Sequence, residues 1–225
     1  MTTTQTTPMN TDEQKEREQL TLKAKWLFGH PCEFVTSVFD LEKLPEKNIV
    51  EIAFAGRSNV GKSSLINYLF QKKGLAKASS TPGRTQSLNF FKLDHHMHVV
   101  DMPGYGYAKA PKSMVDDWNK MLRTYLRGRS QLKRVFLMID SRHGLKKNDE
   151  EIMSMLDESA VSYQVILTKS DKIKAAGIPK LVQSIHDQAE KHPALYPEVI
   201  VSSSEKDLGR KEIRQAIARV YRDFS

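Results

Sequence analysis

Residues 53–67 read AFAGRSNVGKSSLIN, and this stretch decides the fold. The pattern G-x-x-x-x-G-K-[ST] falls on Gly56, Gly61, Lys62 and Ser63, after a predicted strand and at the start of a predicted helix. It predicts a phosphate-binding loop, because glycines let successive backbone N–H groups turn toward phosphates and the helix N-terminus adds positive charge. We expect Lys62 to reach the β- and γ-phosphates and Ser63 to bind Mg²⁺. The alternative is a chance glycine-rich turn, which residue frequencies produce in about one such chain in a hundred.

A second motif, Asp101-Met102-Pro103-Gly104, follows the apolar run that ends at Val100. Alone, this tetrapeptide indicates only a turn. About 40 residues after a phosphate-binding loop, an acid at the end of a neighbouring strand can hold the Mg²⁺ shell, and a glycine amide can approach a γ-phosphate. We therefore expect Asp101 and Gly104 to sense the third phosphate.

A third motif, Thr168-Lys169-Ser170-Asp171, follows another apolar run. Guanine offers two adjacent donors on one edge, and a single carboxylate can accept both, whereas adenine presents an acceptor there and has no 2-amino group. Asp171 would therefore select guanine, and the methylene stem of Lys169 would lie along the base. In isolation the tetrapeptide is more typical of a solvated loop. Its order and spacing relative to the other two motifs favour the guanine site.

Two weaker signals complete the set. Ser202-Ser203-Ser204 follows the last predicted strand and could aim the Ser203 amide at guanine O6, although three serines before a charged helix are equally typical of a helix N-cap. Residues 81–86, Thr-Pro-Gly-Arg-Thr-Gln, form a flexible loop with a threonine, Thr85. Such a loop suits a segment whose hydroxyl joins Mg²⁺ only when the γ-phosphate is present.

Composition narrows the class of protein. The chain has 225 residues and a net charge of +8, which is concentrated in residues 62–92 and 120–147 and suggests a polyanionic partner. The single cysteine, Cys32, cannot form an intramolecular disulfide and fits a reducing compartment. Apolar runs of membrane-spanning length and a secretory signal are both lacking, so we expect a cytoplasmic protein.

The order of elements predicts the fold class. Residues 1–21 are polar and predict a flexible N-terminal tail, and residues 22–225 predict a single domain. Short β-rich runs alternate with helical spacings, which predicts an α/β, three-layer domain with a mostly parallel sheet of six or seven strands. Two strands without a helix between them, around residues 94–96, imply one antiparallel edge strand. Residues 113–127 and the last segment have one apolar helical face each.

The motifs GRSNVGKS, TPGRTQ, DMPGYGYA, DSRHGLKKND and TKSD together resemble the Era/EngA/TrmE group of bacterial GTPases, and in particular the EngB (YihA/YsxC) family. The resemblance covers about residues 22–223. It implies a Ras-like, monomeric GTPase domain with Mg²⁺-dependent binding of GTP and GDP and slow hydrolysis. It also implies a role in assembly of the large ribosomal subunit, with effects on cell division and septation.

The resemblance assigns the site residues. Ser63 and Thr85 become the Mg²⁺ ligands, and Lys62, Thr85 and Gly104 the catalytic residues. The nucleotide contacts become Gly56, Arg57, Ser58, Asn59, Val60, Gly61, Lys62, Ser63, Gly83, Arg84, Thr85, Gln86, Ser87, Asp101, Met102, Pro103, Gly104, Thr168, Lys169, Ser170, Asp171, Ser202, Ser203 and Ser204.

Two positions depart from the commonest GTPase sequence pattern, and a third matches a position specific to TrmE-like relatives. Thr168 replaces an asparagine, which predicts a weaker side-chain tie between the guanine loop and the phosphate-binding loop. Tyr105 stands where Ras-type enzymes place the glutamine that orients water, which predicts slow intrinsic hydrolysis. Asn59 matches the position that coordinates potassium in TrmE-like relatives, and K⁺ could supply the missing charge at the transition state.

Other candidates remain outside this pattern. His95, His96 and His98 alternate faces of a predicted hairpin and lack a fourth ligand, so a metal site is not favoured. Residues 140–143, Asp-Ser-Arg-His, are more typical of a structural loop network than of a catalytic one.

The block 120–147 lacks local acidic counterions, which favours contacts with ribosomal RNA phosphates over a solvated helix face. The cations expected to make these contacts are Arg127, Arg129, Lys133 and Arg134. Two rival functions are a P-loop ATPase or kinase, and a basic RNA-binding module with a vestigial nucleotide site.

Overall fold

A seven-stranded sheet forms the centre of the molecule in the computed structural model, which describes residues 11–46, 48–76, 87–106 and 112–225. The strands are β1 (Cys32–Val38), β2 (Val50–Gly56), β3 (Leu88–Leu93), β4 (Met97–Asp101), β5 (Leu132–Asp140), β6 (Tyr163–Thr168) and β7 (Ile200–Val201). The helices are α1 (Thr11–Leu27), α2 (Lys62–Leu69), α3 (Lys112–Gly128), α4 (Lys147–Glu158), α5 (Ile178–His186) and α6 (Arg210–Phe224). Short 3₁₀ turns cover Leu41–Lys43, Ser170–Lys172 and Ala175–Gly177.

The strand order is β1-β3-β4-β2-β5-β6-β7. Strands β4, β2, β5, β6 and β7 pair in parallel, as helical connections between successive strands require. β3 runs antiparallel to both of its neighbours, because a tight turn joins it to β4. The predicted fold class is thus confirmed, and the antiparallel strand lies one position inside the edge because β1 covers it.

Two apolar layers enclose the sheet. One cluster holds buried side chains from α3, α4 and α5, such as Leu122, Ile152 and Ile185, together with one face of the strands. The other holds Leu65 of α2 and Ile217 of α6 against the opposite face. The apolar faces predicted for the helices at residues 113–127 and at the chain's end face these two clusters. The three-layer architecture follows, because each side of the sheet buries its own set of strand residues.

The N-terminal boundary differs from the prediction of a tail over residues 1–21. Residues 11–21 belong to α1, in which Leu20 and Leu27 are fully buried. The side-chain amide of Gln215 in α6 donates to the Thr21 hydroxyl at 2.7 Å. α1 therefore begins eleven residues before the predicted domain start, and the first buried one of its described side chains is Leu20. The prediction for residues 1–10 lies outside the described residues. Among the helices in the described ranges, none combines the length and apolar character needed to cross a membrane.

Two arginines of the second basic block, residues 120–147, lie in the protein interior. The Arg129 guanidinium is 2% exposed and donates to the buried Glu51 carboxylate at 2.9 and 3.0 Å. The Arg134 guanidinium lies 3.9 Å from the centre of the Tyr196 ring and is also buried. The prediction that these two arginines contact RNA phosphates is therefore wrong, because β5 and the turn before it direct them into the fold. Arg127 remains exposed.

Candidate functional site

The predicted motifs meet at one edge of the sheet. The carboxyl ends of the parallel strands β2, β4, β6 and β7 carry the phosphate-binding loop, residues 101–104, residues 168–171 and residues 202–204, respectively. Ligands of open α/β sheets bind outside this edge. Gly83, Arg84, Thr85 and Gln86 lie outside the described residues, and Ser87, at the start of β3, is buried.

The phosphate-binding loop curls between β2 and α2. A Cβ at Gly56 would lie 2.8 Å from Val60 Cγ1 and 3.0 Å from the Met138 carbonyl oxygen, so only glycine fits beside β5. Gly61 has a φ of +103°, in the left-handed region that favours glycine, and it caps α2. The turn places Lys62 and Ser63 on the first turn of α2, which follows the phosphate-binding loop as the motif requires.

Lys62 and Asp101 form an ion pair between the loop and β4. β2 and β4 are parallel neighbours in which Phe54 pairs with Asp101, so the two motifs emerge side by side. Both side chains are largely buried. A Mg²⁺-nucleotide offers each group an opposite charge, namely phosphate oxygens for the ammonium and the hydrated metal for the carboxylate. The hydroxyl of Ser63 and the carboxylate of Asp101 are hard oxygen donors, which suit Mg²⁺ and its water shell.

Residues 102–105 lie directly against the phosphate-binding loop. The Ser58 amide donates to the Tyr105 carbonyl at 3.0 Å, and the Tyr105 amide donates to the Gly56 carbonyl at 3.3 Å. A Cβ at Gly104 would lie 3.0 Å from Ser58 Oγ. Gly104 thus lies directly against the phosphate-binding loop, and its approach to a γ-phosphate stays a prediction.

A buried network missed by the sequence analysis holds Tyr105. Its hydroxyl donates to the Asp149 carboxylate at 2.8 Å, and Arg57 Nε lies 3.3 Å from the same carboxylate. Asp149 is fully buried at the start of α4, where it also accepts from the Lys146 amide. Burial, and then the Asp149 charge, raises the pKa of Tyr105 well above its ordinary value, so the phenol remains a donor. The network joins the phosphate-binding loop, the segment after Asp101 and α4.

Thr168 ties the guanine loop to the phosphate-binding loop. Its hydroxyl lies 2.8 Å from the Val60 carbonyl and 3.3 Å from the Ile139 carbonyl, and it is buried. A hydroxyl has one proton, and the shorter distance assigns the donation to Val60. Thr168 therefore makes a direct side-chain bond to the loop, and its weaker strength relative to asparagine stays a prediction.

Lys169 lies over the phosphate-binding loop, as its predicted role requires. Its ammonium donates to the Asn59 carbonyl at 2.6 Å and lies 3.0 Å from Asp140. Burial would raise the pKa of Asp140, but hydrogen bonds from Arg142 and Lys169 outweigh burial and hold the pKa well below its ordinary value. Asp140 is thus a charged positioning residue for Lys169, which confirms the structural-network interpretation of residues 140–143.

Asp171 is held by Ser203. The Ser203 hydroxyl donates to one carboxylate oxygen, and Lys172 Nζ lies 3.1 Å from the other. The Ser203 hydrogen bond is the main cause of the lowered pKa of Asp171. Each carboxylate oxygen has two acceptor sites, so capacity remains for the two guanine donors.

The structure gives Ser203 a role that differs from the predicted one. Its amide donates to the Leu208 carbonyl at 3.0 Å and is therefore not directed at guanine O6. Ser203 instead orients the Asp171 carboxylate through its side-chain hydroxyl. Ser202 donates its hydroxyl to the Leu167 carbonyl at 3.2 Å, which fixes the loop to β6.

Comparisons with known proteins agree with this geometry. A family model described as a 50S ribosome-binding GTPase matches residues 51–169. The chain is 55% identical over 215 residues to a probable GTP-binding protein EngB of Sinorhizobium fredii, covering 90% of this chain and 99% of that protein. It is 57% identical over 203 residues to the corresponding protein of Rhizobium johnstonii, covering 86% and 94%.

Solved structures show the same relationship. The crystal structure of a probable GTP-binding protein EngB aligns with a TM-score of 0.62 at 25% identity, over 77% of this chain and all of that chain. Era, in complex with MgGDPNP and nucleotides 1506–1542 of 16S ribosomal RNA, aligns with a TM-score of 0.55 at 27% identity, over 78% and 57%.

The chain is more than 50% identical in sequence to these EngB proteins over almost their whole length. Its structure brings three nucleotide-binding motifs together at one edge of the sheet, as a GTP-binding protein requires. This agreement excludes the ATPase and kinase alternative and the vestigial site. The chain belongs to the EngB family of GTP-binding proteins and is a GTPase.

Proposed function

We propose that this GTPase is a GTP-operated switch in assembly of the large ribosomal subunit. It acts in the cytoplasm as a monomer, and normal cell division and septation depend on it. The observation that carries the proposal is the match of residues 51–169 to a family model described as a 50S ribosome-binding GTPase. The reaction converts GTP and water to GDP and phosphate, and loss of the γ-phosphate releases the segments that contact it.

The chain's own groups supply the binding and the electrostatics. Lys62 and the α2 N-terminus stabilise negative charge on the β- and γ-phosphates, and Asp171 with Lys169 holds the base. Ser63 and Thr85 would hold Mg²⁺, which neutralises phosphate charge when it is bound, and Asp101 would accept from its water shell. The remaining predicted nucleotide contacts in residues 56–63, 83–87, 101–104 and 168–171, with Ser202 and Ser204, belong to the same proposal, whereas Ser203 acts through the Asp171 carboxylate.

Slow intrinsic hydrolysis fits the position of Tyr105. Its side chain is 6% exposed and its hydroxyl is committed to Asp149, so this residue is not placed to orient an attacking water. We propose that Asn59, whose side chain is exposed on the phosphate-binding loop, helps to bind a potassium ion that supplies transition-state charge.

The surface proposed for ribosomal RNA lies between β5 and α4. Lys146 and Lys147 are exposed there, and we call these two residues the β5–α4 cations, whereas Arg142 beside them is paired with Asp140. Arg57 donates to the Gly144 carbonyl of this loop at 3.2 Å, so the loop touches the phosphate-binding loop. Cations at this position can present phosphate contacts that depend on the state of the nucleotide.

The test is binding to large-subunit particles with GDP or with a non-hydrolysable GTP analogue. We expect tighter binding in the GTP state. Affinity falls as the salt concentration rises, and the double variant Lys146→Ala/Lys147→Ala should make the negative slope of log affinity against log salt concentration shallower by about 1 to 2. The matched control is Lys25→Ala/Lys180→Ala, which removes the same charge from exposed positions on α1 and α5. Equal affinity in the two nucleotide states would overturn the switch, and equal salt slopes for both double variants would overturn the surface.

A further inference from the structure

A cluster of potential metal ligands lies at the sheet edge opposite the nucleotide motifs. It consists of His30, Asp94 and His96, whose ligand atoms lie within 4.8 Å of one another. The turn at residues 94–96 joins the end of β3 to the start of β4, whereas Asp101 at the other end of β4 faces the nucleotide. Neither nucleotide binding nor hydrolysis uses these three residues.

His95, His96 and His98 are close in sequence, but their side chains lie in three different environments. His98 is buried beside Glu51 in the sheet, and the side chain of His95 is 84% exposed. His96 points instead toward a residue outside the run, so that its ring centre lies 4.6 Å from that of His30 at an interplanar angle of 74°. Because side chains alternate between the two faces of the hairpin, His95, His96 and His98 point in different directions. The fold brings His30 to His96 as a second imidazole.

Backbone bonds fix the two segments that carry the cluster. Cys32 of β1 pairs with Leu93 of β3, and beyond this pair the Asp94 amide donates to the Pro31 carbonyl at 3.0 Å. Asp94 has a φ of 47°, a left-handed conformation that aspartate adopts more readily than most residues. His30 and Asp94 are thereby held side by side without any bound ion.

The hydrogen bonds of both histidines leave the same nitrogen available. His30 Nδ1 lies 3.0 Å from the Trp26 carbonyl, which can only accept, so Nδ1 carries the proton and Nε2 keeps its lone pair. His96 Nδ1 lies 3.1 Å from the Tyr221 hydroxyl, whose oxygen can accept the Nδ1 proton, and in that tautomer Nε2 keeps its lone pair for a metal. Metal-binding histidines are oriented in this way, by a hydrogen bond from the nitrogen that does not bind the metal.

We propose that His30, Asp94 and His96 form a site for a divalent transition metal, of which Zn²⁺ is the best fit. Two imidazole nitrogens and one carboxylate oxygen suit this ion, whereas Mg²⁺ and Ca²⁺ prefer oxygen ligands alone. Bonds of about 2.0–2.2 Å require the side chains to close from their present separation, and water would fill the fourth position. Lys23 lies over the Trp26 and Tyr221 rings nearby, and its positive charge keeps the affinity moderate.

A metal here would link three elements. His30 follows α1, Asp94 and His96 form the β3–β4 turn, and Tyr221 belongs to α6. Binding to the folded state alone would raise the melting temperature and hold the end of α1 against the domain.

The test is isothermal titration of the full-length, tag-free protein in its GDP complex with Zn²⁺. We expect one Zn²⁺ per chain. His30→Ala and His96→Ala should each weaken binding by about 100-fold or more, and Tyr221→Phe by about tenfold, since it removes only the orienting hydroxyl. Asp94→Asn tests the carboxylate while keeping a residue that tolerates the turn. The matched control is His186→Ala, which removes an exposed histidine from α5 and should leave the affinity within about twofold. Retained GDP binding shows that each variant is folded.

A second readout does not depend on the ligand variants. The Trp26 ring centre lies 4.8 Å from that of His30 and 4.6 Å from that of His96, so Ni²⁺ in the site should quench its fluorescence. Trp26→Phe, which leaves Trp118, should abolish the quenching. No stoichiometric Zn²⁺ binding, unchanged affinity in His30→Ala and His96→Ala, or loss of binding in His186→Ala would each overturn the site.

Discussion

At the scale of single residues, buried charges in this fold are held by partners distant in sequence. Glu51 accepts from both Tyr125 and Arg129, and Asp149 from Tyr105 with Arg57 close by. Unpaired, each carboxylate would carry a large desolvation cost. The Glu51 pair explains why Arg129, which was expected on an RNA surface, lies inside the protein, whereas Arg134 is held there by the Tyr196 ring.

His98 makes stability depend on pH. Burial, and then the charge of Arg129, lowers its pKa to about 4 from 6.5. Between these values the unfolded chain binds a proton that the folded protein does not, so stability falls as the pH decreases from 6.5 toward 4. We expect His98 to account for a loss of about 2 kcal/mol in the free energy of unfolding between pH 7 and pH 5.

Urea denaturation at pH 7 and pH 5 checks this value. The variant His98→Gln keeps a polar side chain but removes the titration, so its stability should change less between the two pH values by about 2 kcal/mol. Exposed His186 lies on α5, and His186→Gln is the matched control, which should retain the full loss. The same pH dependence in wild type and His98→Gln would contradict the assignment.

The residues of the site that the sequence predicts best are those fixed by local motif chemistry. Lys62, Asp101 and Asp171 each occur in a short pattern whose spacing specifies the chemistry, and the structure places all three at one edge. Asp149 and the hydroxyl of Ser203 were missed because their roles depend on contacts across 44 and 32 positions of the chain. No local pattern marks either residue.

At the scale of elements, apolar runs predicted the strands well because strands covered on both faces need little polar sequence. β5 shows the limit of this reasoning. It begins at Leu132 and includes Lys133 and Arg134, whereas the apolar run alone starts at Val135. α1 was missed for a different reason. Its sequence is mostly charged, and only Leu20, Ala24 and Leu27 form a narrow buried face.

The packing of α1 gives a prediction with an internal control. Leu20 is 1% exposed and Leu22 is 68% exposed, although the two leucines lie in the same helix. Leu20→Ala should lower the free energy of unfolding by about 2–4 kcal/mol, because it removes buried methyl groups and leaves a cavity. Leu22→Ala should change it by less than about 0.5 kcal/mol. Urea denaturation measures both, and equal small effects would show that α1 does not pack on the domain.

At the scale of the whole molecule, the parallel sheet brings distant motifs to a single edge. The strand order places β4 beside β2 and β6 two positions away, so loops separated by more than 100 residues contact each other, as Thr168 contacts Val60. The basic residues behind the net charge of +8 have two different roles in the folded protein. Some balance buried acids, and the β5–α4 cations remain exposed near the nucleotide edge.

The guanine specificity of the nucleotide site depends on the Asp171 carboxylate. Fluorescent GDP binding by wild type and Asp171→Asn, with ATP as competitor, tests it most directly. Replacing an oxygen acceptor by an amide leaves a guanine donor unpaired, so we expect GDP affinity to fall by about two orders of magnitude or more, while ATP fails to displace GDP from wild type. The matched control is Asp187→Asn, at an exposed carboxylate that ends α5, which should bind GDP as wild type does. Unchanged GDP affinity in Asp171→Asn would contradict the account.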